Sequence, residues 1–519
     1  MRANQDLLVK KMLEPCFYNH PVTKVELVET HISRIFLAGE FAYKLKKPVD
    51  FGFLDFSTLE RRQHFCQEEL RLNRRFSPQL YLDVCRVGGR PDDLHLGGEP
   101  AIDFLVKMRR FPAEAQLDRM LEAGLLTSAH LEACALRIAE FHRRAAIASP
   151  ESSYGSPSVV TAPVLENFTQ LAPILPDSHS ASLFRLLEEW SRHACEQLQD
   201  RFEQRKRQGF IRECHGDLHL ANMLWQDEQP VLFDCIEFNA NLRWIDQLNE
   251  IAFLVMDLDD RGKSPLGWAF LNAYLQQTGD YRDLDLLTFY KVYRALVRAK
   301  VTCLRLGQAG LAVKEKKTDR QLAHNYLELA ATYIKPHRPQ LLICHGLSGS
   351  GKTSFITRLA PACRAIRIHS DRERKRLAGL EGSDTSHSRP DGGIYTGSAT
   401  DATYSHLLKL AEAILGAGIS VVVDATFLLR RQRGEFHQLA KRVEVPFRIL
   451  DFPLPEAILR ERIYRRRQQS GRLSEATEEI LDLQLTRQER LTEEETGCSF
   501  RIQPNTAIDK ISETIRLGP

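Results

Sequence analysis

Two stretches of this 519-residue sequence collect side chains suited to phosphate and divalent metal. In His215-Gly216-Asp217-Leu218-His219-Leu220-Ala221-Asn222 an acid and an amide stand five residues apart, and a second acid, Asp234, ends the apolar run Val231-Leu232-Phe233. Carboxylate and amide oxygens are the donors that hard Mg²⁺ prefers. A carboxylate beside a hydroxyl can orient it and take its proton, and phosphoryl transfer requires both functions plus a cation on the nucleotide. The spacing lets one loop present Asp217 and Asn222 to a common point, with Asp234 arriving from the end of a strand. Asp217 is the candidate catalytic acid, Asn222 and Asp234 are candidate metal ligands, and His215 is a brace for the loop.

The second stretch, Gly346-Leu347-Ser348-Gly349-Ser350-Gly351-Lys352-Thr353, follows the apolar strand Leu341-Leu342-Ile343-Cys344 and opens a helix. Gly346, Gly349 and Gly351 allow backbone N–H groups to turn inward around phosphates, and the helix N-terminus adds positive potential. Lys352 reaches the terminal phosphates, Thr353 offers a hydroxyl to Mg²⁺, and Ser350 and Ser354 complete the candidate ATP-binding set. Asp371, after the strand ending Ile368-His369, is placed to activate an acceptor hydroxyl, with Arg374 one helical turn on. Asp424 ends Val421-Val422-Val423 and is a candidate metal ligand. Residues 460–472 carry six arginines against one glutamate. They read as a lid over transferring phosphate, with Arg462, Arg466 and Arg467 as its candidate cations.

These groups need elements to hold them. Short strand-like runs at Lys24–Glu29, Arg34–Leu37 and Phe41–Lys46 open the chain, with Gly39-Glu40 as a tight turn. The S-x-x-E spacing of Ser57 and Glu60 predicts a capping box and a helix from Thr58. Helical periodicity over Leu131–Ala145, Ala181–Leu198 and Leu284–Leu306 follows. Strands first and helices later is an α+β order. From residue 338, strands at Leu341–Cys344, Ala365–Ile368, Ser420–Asp424, Phe447–Phe452 and Phe500–Gln503 alternate with helices, the α/β pattern of a parallel sheet. Pro336 and Pro339 separate the two patterns. The expected domains are 1–337, with a strand-rich lobe at about 20–110 and a helical lobe at about 111–335, and 338–519.

His215 to Asp234, extended by Cys235-Ile236-Glu237-Phe238 and Arg243-Trp244-Ile245-Asp246, resembles the aminoglycoside phosphotransferase and choline kinase family, a branch of the protein-kinase-like fold. The resemblance implies a bilobal fold with ATP between the lobes, catalysis by Asp217 and Mg²⁺ on Asn222 and Asp234. It also implies a phosphate-gripping lysine on the third strand, paired with a glutamate on the next helix. Lys44 and Lys46 share a face of Phe41–Lys46. Ala42-Tyr43-Lys44 fits the family pattern, which favours Lys44, with Glu69 or Glu68 as partner. The turn near Thr30–Ser33 has no glycine, unlike a protein-kinase Gly-rich loop. Asp50-Phe51-Gly52 spells D-F-G but precedes the catalytic loop, and reads as an ordinary loop.

The second half resembles small P-loop kinases of the gluconate, shikimate and polynucleotide kinase types. Asp371 and Arg374 match the acceptor-side pair of the polynucleotide-kinase group, and Asp424-Ala425-Thr426 matches its D-x-T, but Phe427 stands where asparagine is common. The whole order is similar to a bacterial family described as bifunctional aminoglycoside phosphotransferase/ATP-binding proteins.

Net charge is +3, which argues against a general polyanion binder and leaves any basic site local. No run of 18 apolar residues predicts a membrane span. Eleven cysteines without a C-x-x-C pair suit reduced, cytoplasmic thiols. Tyr290, Arg294 and Arg298 recur at helical spacing; they form either an anion-binding wall or, the preferred reading, pairs with acids such as Asp246 or Asp257. The expectation is ATP- and Mg²⁺-dependent phosphotransfer to hydroxyls of small molecules at two sites. A nucleic-acid 5′-end kinase and an ATP-sensing regulator with one non-catalytic module are the other readings.

Overall fold

The computed structural model describes residues 2–517, except 53, 91–92, 175–177, 307–311, 381–383, 385–391 and 468–477; of 2–4, 178–179, 466–467 and 516–517 it describes the backbone only. Two compact units emerge. One comprises Met1–Leu126, Glu140–Glu166 and His193–Leu254, the other Thr127–Ala139, Asn167–Arg192 and Val255–Pro519.

The first unit is built on a six-stranded antiparallel sheet in the order Val25–Glu29, Ser33–Ala38, Phe41–Lys46, Ala101–Arg109, Tyr81–Arg90, Asp93–Leu96. Alternation along Phe41–Lys46 decides what each face receives. Tyr43 and Leu45 join Leu8, Met12, Phe36 and Leu105 in one core, while Ala42 points to Cys66, Val106, Leu224 and Phe233 in another. Lys44 and Lys46 share the second face, which looks toward the helix Leu59–Asn73 and the hairpin Met223–Gln226/Gln229–Leu232.

One expectation is corrected here. The helix is capped by Thr58, whose hydroxyl accepts the Arg61 N–H; Ser57 instead gives its hydroxyl and N–H to Asp55 at 2.6 and 2.9 Å. Three strands, Tyr81–Arg90, Asp93–Leu96 and Ala101–Arg109, were not legible. Tyr81–Arg90 lacks a clean in–out alternation and shifts register at Gly88.

The second unit holds a five-stranded, all-parallel sheet in the order Ala365–His369, Ser420–Asp424, Leu341–His345, Phe447–Asp451, Ser499–Arg501. Leu342, Cys344, Val422 and Leu450 from the strands pack with Ile356, Leu359, Ile511 and Ile515 from helices to form its core. The edge strand Ala365–His369 is sealed by a side chain of the helix Ser264–Thr278. Asn272 donates to the Ala365 carbonyl at 3.0 Å and accepts the Arg367 N–H at 2.6 Å, standing in for a neighbouring strand. Among the described residues no helix is long and apolar enough to cross a membrane.

Candidate active sites

The loop after the strand Ile211–Glu213 carries Asp217 and ends in the single turn Leu220–Asn222. Gly216 has φ 89°, and a Cβ there would lie 2.7 Å from the Leu242 carbonyl oxygen, so the loop needs glycine to reach Asp217. Asn222 Nδ2 donates to Asp217 Oδ2 at 2.9 Å and to its carbonyl at 3.0 Å, and His219 Nε2 lies 3.3 Å from the same carboxylate oxygen. The His215 ring accepts the Asp217 N–H at Nδ1 (3.3 Å) and donates from Nε2 to the Phe233 carbonyl (2.8 Å). That pattern defines a neutral tautomer, and burial pushes the imidazole below its usual range. His215 therefore braces the loop.

The His215 ring and a bond from the Phe233 N–H to the Asn222 carbonyl (3.1 Å) join this loop to the segment bearing Asp234. Asp234 takes a left-handed conformation, φ 63°, with its N–H on the Tyr81 hydroxyl at 3.0 Å; the Cys235 N–H is held by Asn73 Oδ1 at 2.9 Å. From the sheet, Lys44 Nζ reaches Glu69 Oε1 at 2.8 Å and Asp234 Oδ1 at 2.5 Å. Burial alone would raise the Glu69 carboxyl, but Lys44 and Lys46 pull it down to about 2; burial alone would lower Lys44, but Asp234 and Glu69 raise it well above the usual lysine range. Glu68 turns elsewhere, to Arg71 at 2.9 Å and Arg243 at 3.6 Å. Lys44, Glu69, Asp217, Asn222 and Asp234 thus share one neighbourhood. Asp217 and Asp234 keep side chains 37% and 44% exposed, open to a ligand. Two carboxylates and an amide oxygen beside a lysine suit Mg²⁺ and phosphate.

In the second unit, Gly346, Gly349 and Gly351 have φ of 149°, 85° and 94°, which turns the loop around Lys352. Lys352 Nζ donates to the Gly346 and Leu347 carbonyls, each at 2.8 Å, and lies 3.4 Å from Ser350 Oγ. Thr353 and Ser354 sit exposed in the first turn of Lys352–Ala362. The amide of Gln484 covers the outer side of the loop, accepting the Ser348 N–H at 2.8 Å and donating to its hydroxyl at 2.9 Å. Arg462 Nη1 lies 3.4 Å from the Gly349 carbonyl. The side chains of Arg466 and Arg467, and lid residues 468–472, lie outside the described residues.

Asp371 is in the first turn of Ser370–Leu377, whose N-cap is His369. Arg374 gives Nη1 to the Ile394 carbonyl (2.9 Å) and Thr400 Oγ1 (3.2 Å), its guanidinium 5.2 Å from the Tyr395 ring centre. Asp424 meets an unanticipated partner. Arg367 Nε and Nη2 both bind Asp424 Oδ2, at 3.0 and 2.7 Å, and Arg367 Nη1 donates to Thr357 Oγ1 at 2.7 Å. Thr357 in turn donates to the Thr353 carbonyl at 2.8 Å, so a polar chain joins Asp424 to the first turn after the glycine loop. Burial would raise Asp424, but Arg367 and His369 bring it below the usual carboxylate range; burial pushes His369 down to about 4. Asp424 Oδ2 therefore takes both of these Arg367 N–H groups.

Residues 341–491 match the family described as AAA domain. The uncharacterized protein Rv2004c of Mycobacterium tuberculosis is 33% identical over 411 residues, 79% of this chain and 80% of that protein, and Mb2027c of Mycobacterium bovis matches equally. The chain belongs to the family of these mycobacterial proteins. Among solved structures, a choline/ethanolamine kinase family protein from Mesorhizobium loti aligns at 10% identity over 64% of this chain and 100% of that one, TM-score 0.35. A gluconokinase from Sinorhizobium meliloti aligns at 19% over 35% and 91%, TM-score 0.25.

Four site-supporting residues escaped the sequence reading. Arg367 had a signal, a lone charge between the apolar residues Ala365, Ile366 and Ile368. Glu237 lies in the Cys235–Phe238 extension but carried no assigned role. Glu250 accepts the His215 and Gly216 N–H groups at 2.5 and 2.9 Å, and Gln484 has no spacing cue at all. His142, Cys214 and Glu250 place one potential ligand atom each within 4.8 Å of one another, but both Glu250 oxygens already hold the loop backbone. Of the acids expected to pair with the Tyr290–Arg298 arginines, Asp246 binds Arg205 at 2.6 Å and Asp257 binds Arg261 at 3.1 Å.

Proposed function

We propose that the chain is a cytoplasmic, bifunctional phosphotransferase whose two sets of site residues, before and after the Pro336–Pro339 linker in sequence, move the γ-phosphate of ATP to hydroxyls of small molecules. The observation that carries the reading is Lys44 bridging Glu69 and Asp234 beside the Asp217–Asn222 pair. Glu69 orients Lys44 toward the triphosphate, Asn222 and Asp234 offer oxygens to Mg²⁺, and Asp217 orients the acceptor hydroxyl and accepts its proton. Mg²⁺ held by these oxygens would supply positive charge to neutralise the phosphates. In the second module, backbone N–H groups of Gly349 to Thr353 and Lys352 hold phosphate, Thr353 and Asp424 offer oxygens to the metal, Asp371 orients the acceptor, and Arg374 and the lid arginines Arg462, Arg466 and Arg467 screen charge.

A metabolite-library screen for ATP-dependent phosphorylation, run on wild type, Asp217→Asn and Lys352→Ala, tests this. Each substitution should cut transfer to a different acceptor by about 10²-fold or more. Wild-type transfer by both variants would refute the proposal. Loss of all transfer in Lys352→Ala with none in Asp217→Asn would instead make the first module a scaffold or sensor.

A further inference from the structure

The sheet face that presents Lys44 also presents Lys46, two residues on and wholly buried. Its Nζ meets Glu69 Oε2 at 2.6 Å and a Glu237 carboxylate oxygen, and lies 4.8 Å from the centre of the Phe56 ring. Two lysines therefore interlock with three carboxylates. Lys44 links Glu69 to Asp234, Lys46 links the same Glu69 to Glu237, and Glu237 follows Asp234 by three residues. We infer that Lys46 is a positioning residue for the first site: through Glu237 it pins the segment carrying Asp234 to the sheet, independently of nucleotide.

Access separates the two ion pairs. In the outer pair, Lys44 and Asp234 are the groups that phosphate and a divalent cation would claim, and Asp234 is 44% exposed. Once each has its own ligand, their contact no longer holds the segment. The inner pair is out of reach, with Glu237 only 4% exposed. A second tie supports it, because the Glu237 carbonyl accepts Arg243 Nη1 at 3.2 Å while Arg243 Nε binds Glu213 at 3.2 Å. Lys46 also keeps Glu69 in place when Lys44 turns to phosphate. Groups that hold a metal ligand from behind commonly change metal affinity about 10–100-fold when removed.

This inference rests on the reading of Asp234 as a metal ligand, so the experiment separates the two. The full chain carries Lys352→Ala to silence the second site, and Mn²⁺ binding in the presence of ATP is followed by electron paramagnetic resonance. Lys46→Met alone would strand Glu237 in the interior, so the informative variant is Lys46→Met with Glu237→Met, which removes both charges together. Expected are unchanged far-ultraviolet circular dichroism, Mn²⁺ affinity weaker by about 10–100-fold, and faster amide hydrogen exchange at 234–238 without any ligand. Lys46→Arg, which keeps the charge, should recover part of the affinity. Mn²⁺ affinity within twofold of the background, or unaltered exchange at 234–238, overturns the inference alone. A background that binds no Mn²⁺ with ATP overturns the site reading and the inference with it.

Discussion

Removing Arg367 gives the sharpest test of the electrostatics in the second unit. Its guanidinium lies 2.7 Å from an Asp424 carboxylate that is only 2% exposed, and a third N–H ties down Thr357. At an effective dielectric of about 20, unit charges some 4 Å apart attract by about 4 kcal/mol. Arg367→Met discards that attraction and leaves a buried anion, which typically costs about 3–5 kcal/mol. Set against a domain stability of about 5–15 kcal/mol, that is a large share. At about 2–4 °C per kcal/mol, the transition of this unit should fall by roughly 6–20 °C. Arg367→Met with Asp424→Asn removes both charges and should return to within about 1–2 kcal/mol of wild type. Calorimetry on the full chain, with guanidinium titrations of wild type, both single variants and the double, measures the coupling. A loss below about 1 kcal/mol in Arg367→Met, or simple additivity in the double variant, would refute the reasoning.

Two further outcomes follow from the geometry. His369 has a folded-state pKa of about 4, below its unfolded value of about 6.5, so the unfolded chain binds more protons between those values. Its contribution is complete above about pH 6.5 and is lost as pH falls toward about 4, by roughly 3 kcal/mol; thermal scans across that window should show the loss, and His369→Gln should flatten it. Gly216→Ala forces a Cβ to 2.7 Å from the Leu242 carbonyl in a left-handed conformation. It should cost about 1–3 kcal/mol and slow first-site transfer by about 10²-fold through displacement of Asp217, leaving Lys352-dependent transfer unchanged in the same phosphorylation assay.

Much of the architecture was legible because its signals are local. The strand Phe41–Lys46 and the five strands of the parallel sheet each lie within two residues of the position that their apolar runs indicate. The helix after residue 57 was legible too, but its cap was not, because Asp55 competes for Ser57 and leaves Thr58 to the helix. The choice between Glu68 and Glu69 required the helix's rotation against the sheet: one residue is 100° of turn, which separates a buried partner of Lys44 from a surface partner of Arg71.

By itself the sequence singled out the candidates for phosphate and metal chemistry, since H-x-D-x-x-x-x-N and G-x-x-x-x-G-K-T depend on backbone spacing within one loop. Only the tertiary structure decided who holds those residues. Lys46 meets a glutamate 191 positions away, and Arg367 an aspartate 57 away. Asn272, 95 positions before Arg367, closes the strand beneath it. The physical reason is that a buried charge or an open strand edge must be satisfied, while the chain leaves the satisfying group free to come from any segment that packing brings near.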